Sequence, residues 1–282
     1  MSQILEVPDR NSFIESGYYQ LAREWNGVEP KWPDDPPSRP DMLTLIGKNG
    51  HTTQYVVSST RAVIIGHEKT STGNSTGFIC AGDDRQKATY VLGGGKVQPD
   101  YDGASSDRIG EHGQNESVRN CVMNEIREEL DITLTPPNFF LYGLRPITER
   151  SAEGIETQKC VEGSMVVDAC FIAYAPQDLD YFGGQKGETR VRHLKSGGEL
   201  LRHFPQAVRD REKILQPLIE THRIALAMGI LTIRDVFGSK LPEEIASLIE
   251  QSEQIARTTF DHSRFARGFM RVIQEAPWHF AP

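Results

Sequence analysis

The sequence predicts a mixed α/β core followed by a helical C-terminal region, and three observations predict it. Short β-type runs, rich in apolar and β-branched residues and separated by turn signals, fill residues 42–92. One amphipathic helix is indicated at about 117–130. Beyond about residue 200 the pattern is helical, and Pro217 and Pro242 both suit the first turn of a helix.

These patterns divide the chain into three parts. Residues 1–41 predict an N-terminal arm with a Pro-rich stretch, residues 42–200 an α/β domain, and residues 201–282 a helical extension. Two further β-type runs are expected at Phe139 to Leu144 and Met165 to Ala175, and the chain from Pro176 to about 200 is expected to form loops. The apolar stripes of the extension need a covering surface, which internal packing and a homodimer interface would both provide.

Composition excludes several classes of protein. The formal net charge is −8, and an acidic surface repels long phosphate polymers, which argues against nucleic-acid binding but allows a small phosphate ligand. The four cysteines contain no CxxC pair, so we expect buried, reduced thiols. The first residues lack the apolar core of a signal peptide, and no apolar stretch is long enough to span a bilayer, so we expect a cytoplasmic protein without a membrane segment.

Three carboxylates of the predicted helix share one face. Glu125, Glu128 and Glu129 are separated by three and four positions, while Val118, Cys121, Val122, Ile126 and Leu130 form an adjoining apolar stripe. Like charges this close repel one another unless a cation lies among them. Carboxylate oxygens favour Mg²⁺ or Mn²⁺, so the face predicts a divalent-cation site.

The longer pattern around these glutamates resembles the Nudix box. Gly110 is followed by five residues and Glu116, and seven more residues lead to Asn124 and the run EIREELDI, so seven of the nine specified positions match the family pattern. Upstream, YVLGGGKV is similar to the strand and glycine turn that lead into the box. We call Gly93, Gly94 and Gly95 the glycine run.

Two positions depart from the family pattern. Asn124 stands where the family has an Arg that pairs with a box Glu, and Asn cannot form a bidentate charged pair. Asp131 stands where the family has a Gly near the helix end, a position that often takes a left-handed conformation. The segment between the glycine run and Glu116 is also longer than in the family, so Gly94 or Gly95 competes with Gly110 as the box glycine.

The resemblance implies a Nudix-type α/β/α sandwich with a mixed sheet and a hydrolase of nucleoside diphosphate derivatives. It implies Mg²⁺ (or Mn²⁺) as cofactor, with Glu125, Glu128 and Glu129 as ligands and Glu116 as a further ligand. The general base stays open between a box glutamate and a residue of a distant loop, for which Glu188 is the first candidate. Glu149, Glu153 and Glu156 are weaker competitors.

The resemblance also suggests where a small-molecule diphosphate would bind. The cationic candidates for phosphate contacts lie in two loops and beside the glycine run, where Gly94 and Gly95 allow close approach: Arg145, Arg150, Arg190, Arg192, Lys195 and Lys96. The substrate class stays open among sugar nucleotides, ADP-ribose, dinucleoside polyphosphates, damaged nucleotides and non-nucleotide diphosphates. The alternative function is a catalytically weak Nudix-fold nucleotide sensor, which Asn124, Asp131 and the helical extension motivate.

Overall fold

The computed structural model describes the strands and helices that form the core of the protein. The described residues are 42–46, 52–70, 73–83, 89–97, 118–134, 139–150, 152–154, 156–175, 189–237, 243–262 and 270–271. The predicted N-terminal arm therefore lies outside the described residues, as do Gly110, Glu116 and Glu188.

The strands group into a large mixed sheet and a small two-stranded sheet. The described strands are β1 (Met42–Ile46), β2 (Thr52–Thr70), β3 (Gly73–Asp83), β4 (Thr89–Val91), β5 (Phe139–Pro146), β6 (Thr148–Arg150), β7 (Glu156–Gln158), β8 (Cys160–Val161), β9 (Ser164–Tyr174), β10 (Thr189–Lys195) and β11 (Met270–Arg271). In the large sheet the order is β10-β3-β2-β9-β5-β11, with β1 paired to β2, β4 to β3 and β8 to β9. The pairing of β2 with β9 is parallel, and the other described pairs are antiparallel.

Helices cover both faces of the large sheet. On one face, α1 (Val118–Leu130) shares a buried apolar cluster with residues of β2, β5 and β9. On the other face, α4 (Glu220–Phe237) and α6 (Ile249–His262) share a second buried cluster with the same strands. The remaining helices are short: α2 (Gly197–Leu200), α3 (Gln206–Glu212) and α5 (Glu243–Ala246). This layering confirms the predicted α/β/α sandwich with a mixed sheet.

The second helical layer comes from the segment predicted as the C-terminal extension. Ile245, Leu248 and Ile255, which belong to its apolar stripe, are buried against the sheet and α4. Internal packing therefore covers this part of the stripe. No described helix is long and apolar enough to cross a membrane.

Several local predictions differ from the structure. The runs TQYVV and RAVII belong to one 19-residue strand, β2, instead of two strands. The segment after Pro176, predicted as loop, contains β10, which pairs with β3 along the edge of the sheet. Cys160 is exposed, contrary to the expectation of buried thiols, while the other three cysteines are buried and all four thiols are free.

The glycine run lies in the plane of the sheet, along one edge of β2. That edge pairs with β1 as far as Val56 and with β3 from Ile64 onward. Between these two pairings, Thr60 N donates to Gly95 O (2.8 Å) and Ala62 N donates to Gly93 O (2.9 Å). The glycine run thus fills a gap in the sheet, with a helical layer above it and another below it.

Candidate active site

Helix α1 presents two different faces. Its apolar stripe is fully buried, as the sequence predicted, and the stripe anchors the helix to the sheet. Glu125, Glu128 and Glu129 are half-buried, whereas Arg127 is exposed. The three box glutamates therefore lie at the margin of the core instead of on a solvated face.

Each glycine of the run is required by a different neighbour. A Cβ on Gly93 would lie 2.5 Å from Ile126 Cδ1 and 2.8 Å from Leu130 Cδ1, so the helix packs directly on this backbone. Gly94 has φ of +131°, and a Cβ there would collide with the carbonyl of Thr60. A Cβ on Gly95 would occupy the position of the Glu125 carboxylate. Only glycine allows the helix and two of its side chains to approach this closely.

Hydrogen bonds hold the glycine run between β2 and α1. The peptide N–H of Gly94 donates to Oε2 of Glu129 at 3.0 Å. The N–H of Gly95 donates to Oγ1 of Thr60 at 3.4 Å, and that hydroxyl also contacts the Cys121 thiol at 3.7 Å. The glycine run and the side chains of Glu125 and Glu129 therefore form one structural unit, and Gly94 and Gly95 lie against the box helix. Gly110, the competing box glycine, lies outside the described residues.

The two departures from the box pattern have different structural consequences. Asp131 takes a left-handed conformation, with φ of 53°, and its N–H donates to Arg127 O at 2.9 Å. The position therefore has the backbone geometry for which glycine is favoured, and Asp fills it. Asn124 is half-buried on α1, one position before Glu125.

The box glutamates suit a divalent cation by their chemistry, and they share one helix face. Three carboxylates share one half-buried helix face, and the space that a Gly95 side chain would fill holds the Glu125 carboxylate. Carboxylate oxygens are the ligands that Mg²⁺ and Mn²⁺ prefer. Within the described ranges, no three His, Cys, Asp or Glu side chains converge into a group that could hold a metal ion. Glu116, the fourth predicted ligand, lies outside those ranges.

The predicted phosphate contacts are spread over the structure. Arg145, on β5, forms an ion pair with the buried carboxylate of Asp168, on β9. Lys195 forms an ion pair with Glu199 (3.1 Å) and lies over the Tyr90 ring (5.2 Å). Lys96 is exposed and adjoins the glycine run. Of the other candidates, Arg150 lies on β6 and Arg190 and Arg192 lie on β10.

Three of the competing general bases lie in the small sheet or between its two strands, and the fourth lies outside the described residues. Glu149 and Glu153 are exposed. Glu156 begins β7 in the small sheet. Glu188 precedes β10 and lies outside the described residues, so it stays a prediction.

Sequence reasoning missed a buried polar cluster on the α4 face of the sheet. Asp168 accepts hydrogen bonds from Ser59 Oγ and from Ser58 Oγ (3.3 Å), besides its ion pair with Arg145. A buried carboxylate is tolerated when it is paired and hydrogen-bonded in this way. The available signal was a lone Asp in the otherwise apolar run from Met165 to Ala175.

Sequence reasoning also missed a buried histidine beside this cluster. His222, on α4, lies 3.0 Å through Nε2 from Nε of Arg61, and its Nδ1 lies 2.9 Å from the peptide nitrogen of Leu92. Burial, followed by the positive charges of Arg61 and Arg145, lowers the pKa of His222 to about 3. The imidazole is therefore neutral at physiological pH. No local sequence pattern marks it, because its contacts are remote in the chain.

Comparison with known proteins gives structural neighbours only. No protein-family model and no curated protein match the chain. A MutT/Nudix family protein from Enterococcus faecalis is 15% identical, with a TM-score of 0.32, and the match covers 49% of this chain and 42% of that protein, less than half its length. The Nudix domain of Shewanella oneidensis NrtR, solved with ADP-ribose, is 14% identical, with a TM-score of 0.33 and coverage of 71% and 87%.

A third neighbour is an Ap4A hydrolase from C. elegans. It is 13% identical, with a TM-score of 0.34, and the match covers 64% of this chain and 99% of that one. Two of these three solved structures are Nudix proteins. The resemblance of the chain to the Nudix family rests on the box sequence and on the packing of the box helix against the glycine run.

Proposed function

We propose that the chain is a divalent-metal-dependent Nudix hydrolase that cleaves the diphosphate linkage of a nucleoside diphosphate derivative. One observation carries the proposal: the box glutamates lie half-buried against a glycine run in which Gly95 leaves room for the Glu125 carboxylate and Gly94 binds Glu129. A solvated acidic helix face would need neither contact. A protein that only bound an anionic ligand would not need four carboxylates in one box.

Glu125, Glu128, Glu129 and Glu116 would hold the Mg²⁺ or Mn²⁺ ion. When bound, such an ion neutralises phosphate oxygens and lowers the pKa of an attacking water. The chain's own contribution is to orient the ligands. The N–H of Gly94 fixes the direction of Oε2 of Glu129, and the packing of Ile126 and Leu130 on Gly93 fixes the height of the helix above the sheet.

The remaining chemistry would need a general base and a cationic side chain. A box glutamate or Glu188 would accept the proton of the nucleophilic water. Exposed Lys96, which follows the glycine run, would approach a phosphate oxygen, and its charge would favour the transition state of phosphoryl displacement. Arg145 forms an ion pair with Asp168, so we assign it a structural role ahead of a role in substrate binding.

A metal titration tests the first half of the proposal. Calorimetric titration with Mn²⁺ should give saturable binding to the wild type, and binding should weaken strongly in Glu125→Gln. The matched control is Glu212→Gln, which changes a carboxylate on α3 remote in sequence from the box. Equal Mn²⁺ binding by all three proteins would overturn the assignment of the box as the metal site.

Turnover tests the second half and separates enzyme from sensor. Metal-dependent cleavage of one diphosphate class would establish the hydrolase and identify its substrate. Metal and nucleotide binding without cleavage of any diphosphate would favour the catalytically weak sensor, and Asn124 would then be the first position to restore to Arg.

A further inference from the structure

The start of α4 is tied to the strand that leads into the glycine run. Tyr90 N donates to Pro217 O at 2.8 Å, and Tyr90 forms a parallel bridge with Leu218. Two residues further along, the N–H of Leu92 donates to Nδ1 of His222 at 2.9 Å. Leu92 directly precedes Gly93. The peptide N–H directly before the glycine run is therefore held by a side chain of α4.

His222 can accept only one of the two donors that face it. It is buried and neutral, and a neutral imidazole has one acceptor nitrogen. The N–H of Leu92 and the guanidinium of Arg61 therefore compete for a single lone pair. Arg61 also donates through Nη1 to Thr60 O at 2.6 Å. The tautomer that accepts at Nδ1 satisfies the buried amide of Leu92, while Arg61 keeps the Thr60 carbonyl as acceptor.

The glycine run is contacted from the opposite face by the box helix. Glu129 accepts from the N–H of Gly94, and a Cβ on Gly94 would lie 3.0 Å from the Cα of Arg61. The run is thus contacted by α1 and by the backbone of β2, and Leu92, which directly precedes it, is hydrogen-bonded to His222 of α4. A shift of Leu92 would move the backbone on which Glu125 and Glu129 rest.

We propose that His222 is a positioning residue for the candidate active site, fixing Leu92 and through it the glycine run that orients Glu125 and Glu129. The inference rests on the proposed hydrolase function, because it assigns His222 to that site. Among the described residues, the imidazole of His222 is hydrogen-bonded to Leu92 and lies beside Arg61. Its effect on rate would pass through the backbone.

Two polar substitutions separate the two nitrogens of the imidazole. In His222→Asn the side-chain oxygen can lie near the position of Nδ1 and keep the acceptor for Leu92. In His222→Gln the amide lies one bond further out, near Nε2, where it faces Arg61 instead. Both side chains are polar and smaller than or similar in size to His, so they disturb the buried site to a comparable extent.

We expect kcat to fall about tenfold or more in His222→Gln and to stay within about threefold of wild type in His222→Asn, since small misplacements of catalytic groups reduce rate steeply. KM should change little in either variant. Tyr142→Phe is the structural control, because it removes the hydrogen bond from Tyr142 Oη to Ala225 O (2.6 Å) on the same helix. It should lower thermal stability and leave kcat near wild type. Equal kcat in His222→Gln and His222→Asn would overturn the inference.

Amide hydrogen exchange gives a readout that does not depend on activity. In His222→Gln the amides of Leu92 to Lys96 should exchange about tenfold faster than in His222→Asn or Tyr142→Phe. If the wild type cleaves no diphosphate, the proposed function fails, and the exchange rates still decide whether His222 holds the glycine run. Unchanged exchange at Leu92 in His222→Gln would overturn the inference whatever the activity.

Discussion

At the scale of single residues, the glycine run shows how a backbone position can be fixed by its neighbours. Gly94 and Gly154 both have positive φ, +131° and +79°. No atom of the described residues lies within 4 Å of a Cβ added at Gly154, whereas at Gly94 the Cβ would collide with the Thr60 carbonyl. Comparing substitutions at the two glycines therefore distinguishes the cost of backbone strain from the cost of a steric collision.

Gly94→Ala is expected to destabilise the protein far more than Gly154→Ala. The second substitution should cost about 1 kcal/mol, the usual penalty for a side chain at positive φ. The first adds a collision with backbone that cannot rotate away. Urea unfolding of the two variants measures the difference, and equal losses of unfolding free energy would show that the packing of the glycine run is looser than described.

Arg145 is the residue for which a structural and a catalytic role are most easily told apart. It is paired with Asp168, whose side chain is 2% exposed. Arg145→Met would leave that carboxylate buried without its charged partner, so we expect the unfolding free energy to fall by about 3 kcal/mol. Arg211→Met, at a pair whose Arg is 74% exposed, should cost well under 1 kcal/mol. A stable Arg145→Met enzyme with raised KM would instead support the predicted phosphate contact.

At the scale of elements, we expect a substitution at the end of α1, Asp131→Gly, to raise the stability of the protein. Asp131 lies just beyond α1 with φ of 53°, in the conformation that glycine adopts at least cost. Asp131→Gly should raise the unfolding free energy by about 0.5–1 kcal/mol. Asp131→Ala, which gains no backbone freedom at positive φ, should not stabilise. If denaturant unfolding shows no gain for Asp131→Gly, the helix does not end in the left-handed conformation.

Elements with strong local patterns could be predicted from the sequence. Helix α1 was predicted because its buried stripe repeats at helical spacing within 13 residues, and β9 because its run is almost wholly apolar. Strand β10 was missed because TRVRHLK carries four cationic or imidazole side chains and few apolar ones. Its position is decided by backbone pairing with β3, which no local pattern encodes.

Site residues that lie on one element could be predicted from the sequence, whereas those joined by long-range contacts could not. Glu125, Glu128 and Glu129 are neighbours on one helix, so their spacing alone places them together. The contact between Arg61 and His222 joins residues 161 positions apart, and that between Leu92 and His222 joins residues 130 positions apart. Such contacts depend on the crossing of the sheet by α4, which becomes visible only in the folded chain.

At the scale of the whole molecule, His222 links stability to pH. Its pKa is lowered from 6.5 to about 3, so between these values the unfolded imidazole binds a proton that the folded one does not. Because the unfolded state binds more protons there, the contribution of His222 to stability is fully present above about pH 6.5 and is lost as the pH falls. The slope should approach about 1.4 kcal/mol per pH unit.

Asn at position 222 does not titrate, so His222→Asn should lack this slope. As the pH is lowered from 6.5 toward 4, the unfolding free energy of the wild type should therefore fall more than that of His222→Asn. Urea unfolding at several pH values measures it, and all other titrating groups are common to both proteins. Parallel pH profiles would show that the imidazole is not held neutral in the folded state.

A substrate-panel assay tests most directly whether the box glutamates carry metal-dependent diphosphate hydrolysis. The wild type would be assayed with Mg²⁺ and with Mn²⁺ beside Glu128→Gln and Glu129→Gln, with Glu212→Gln as the control. We predict that one diphosphate class is cleaved, and that kcat falls about 100-fold or more in both box variants while the control is unchanged. Metal-independent cleavage, or turnover that survives in both box variants, would contradict the claim.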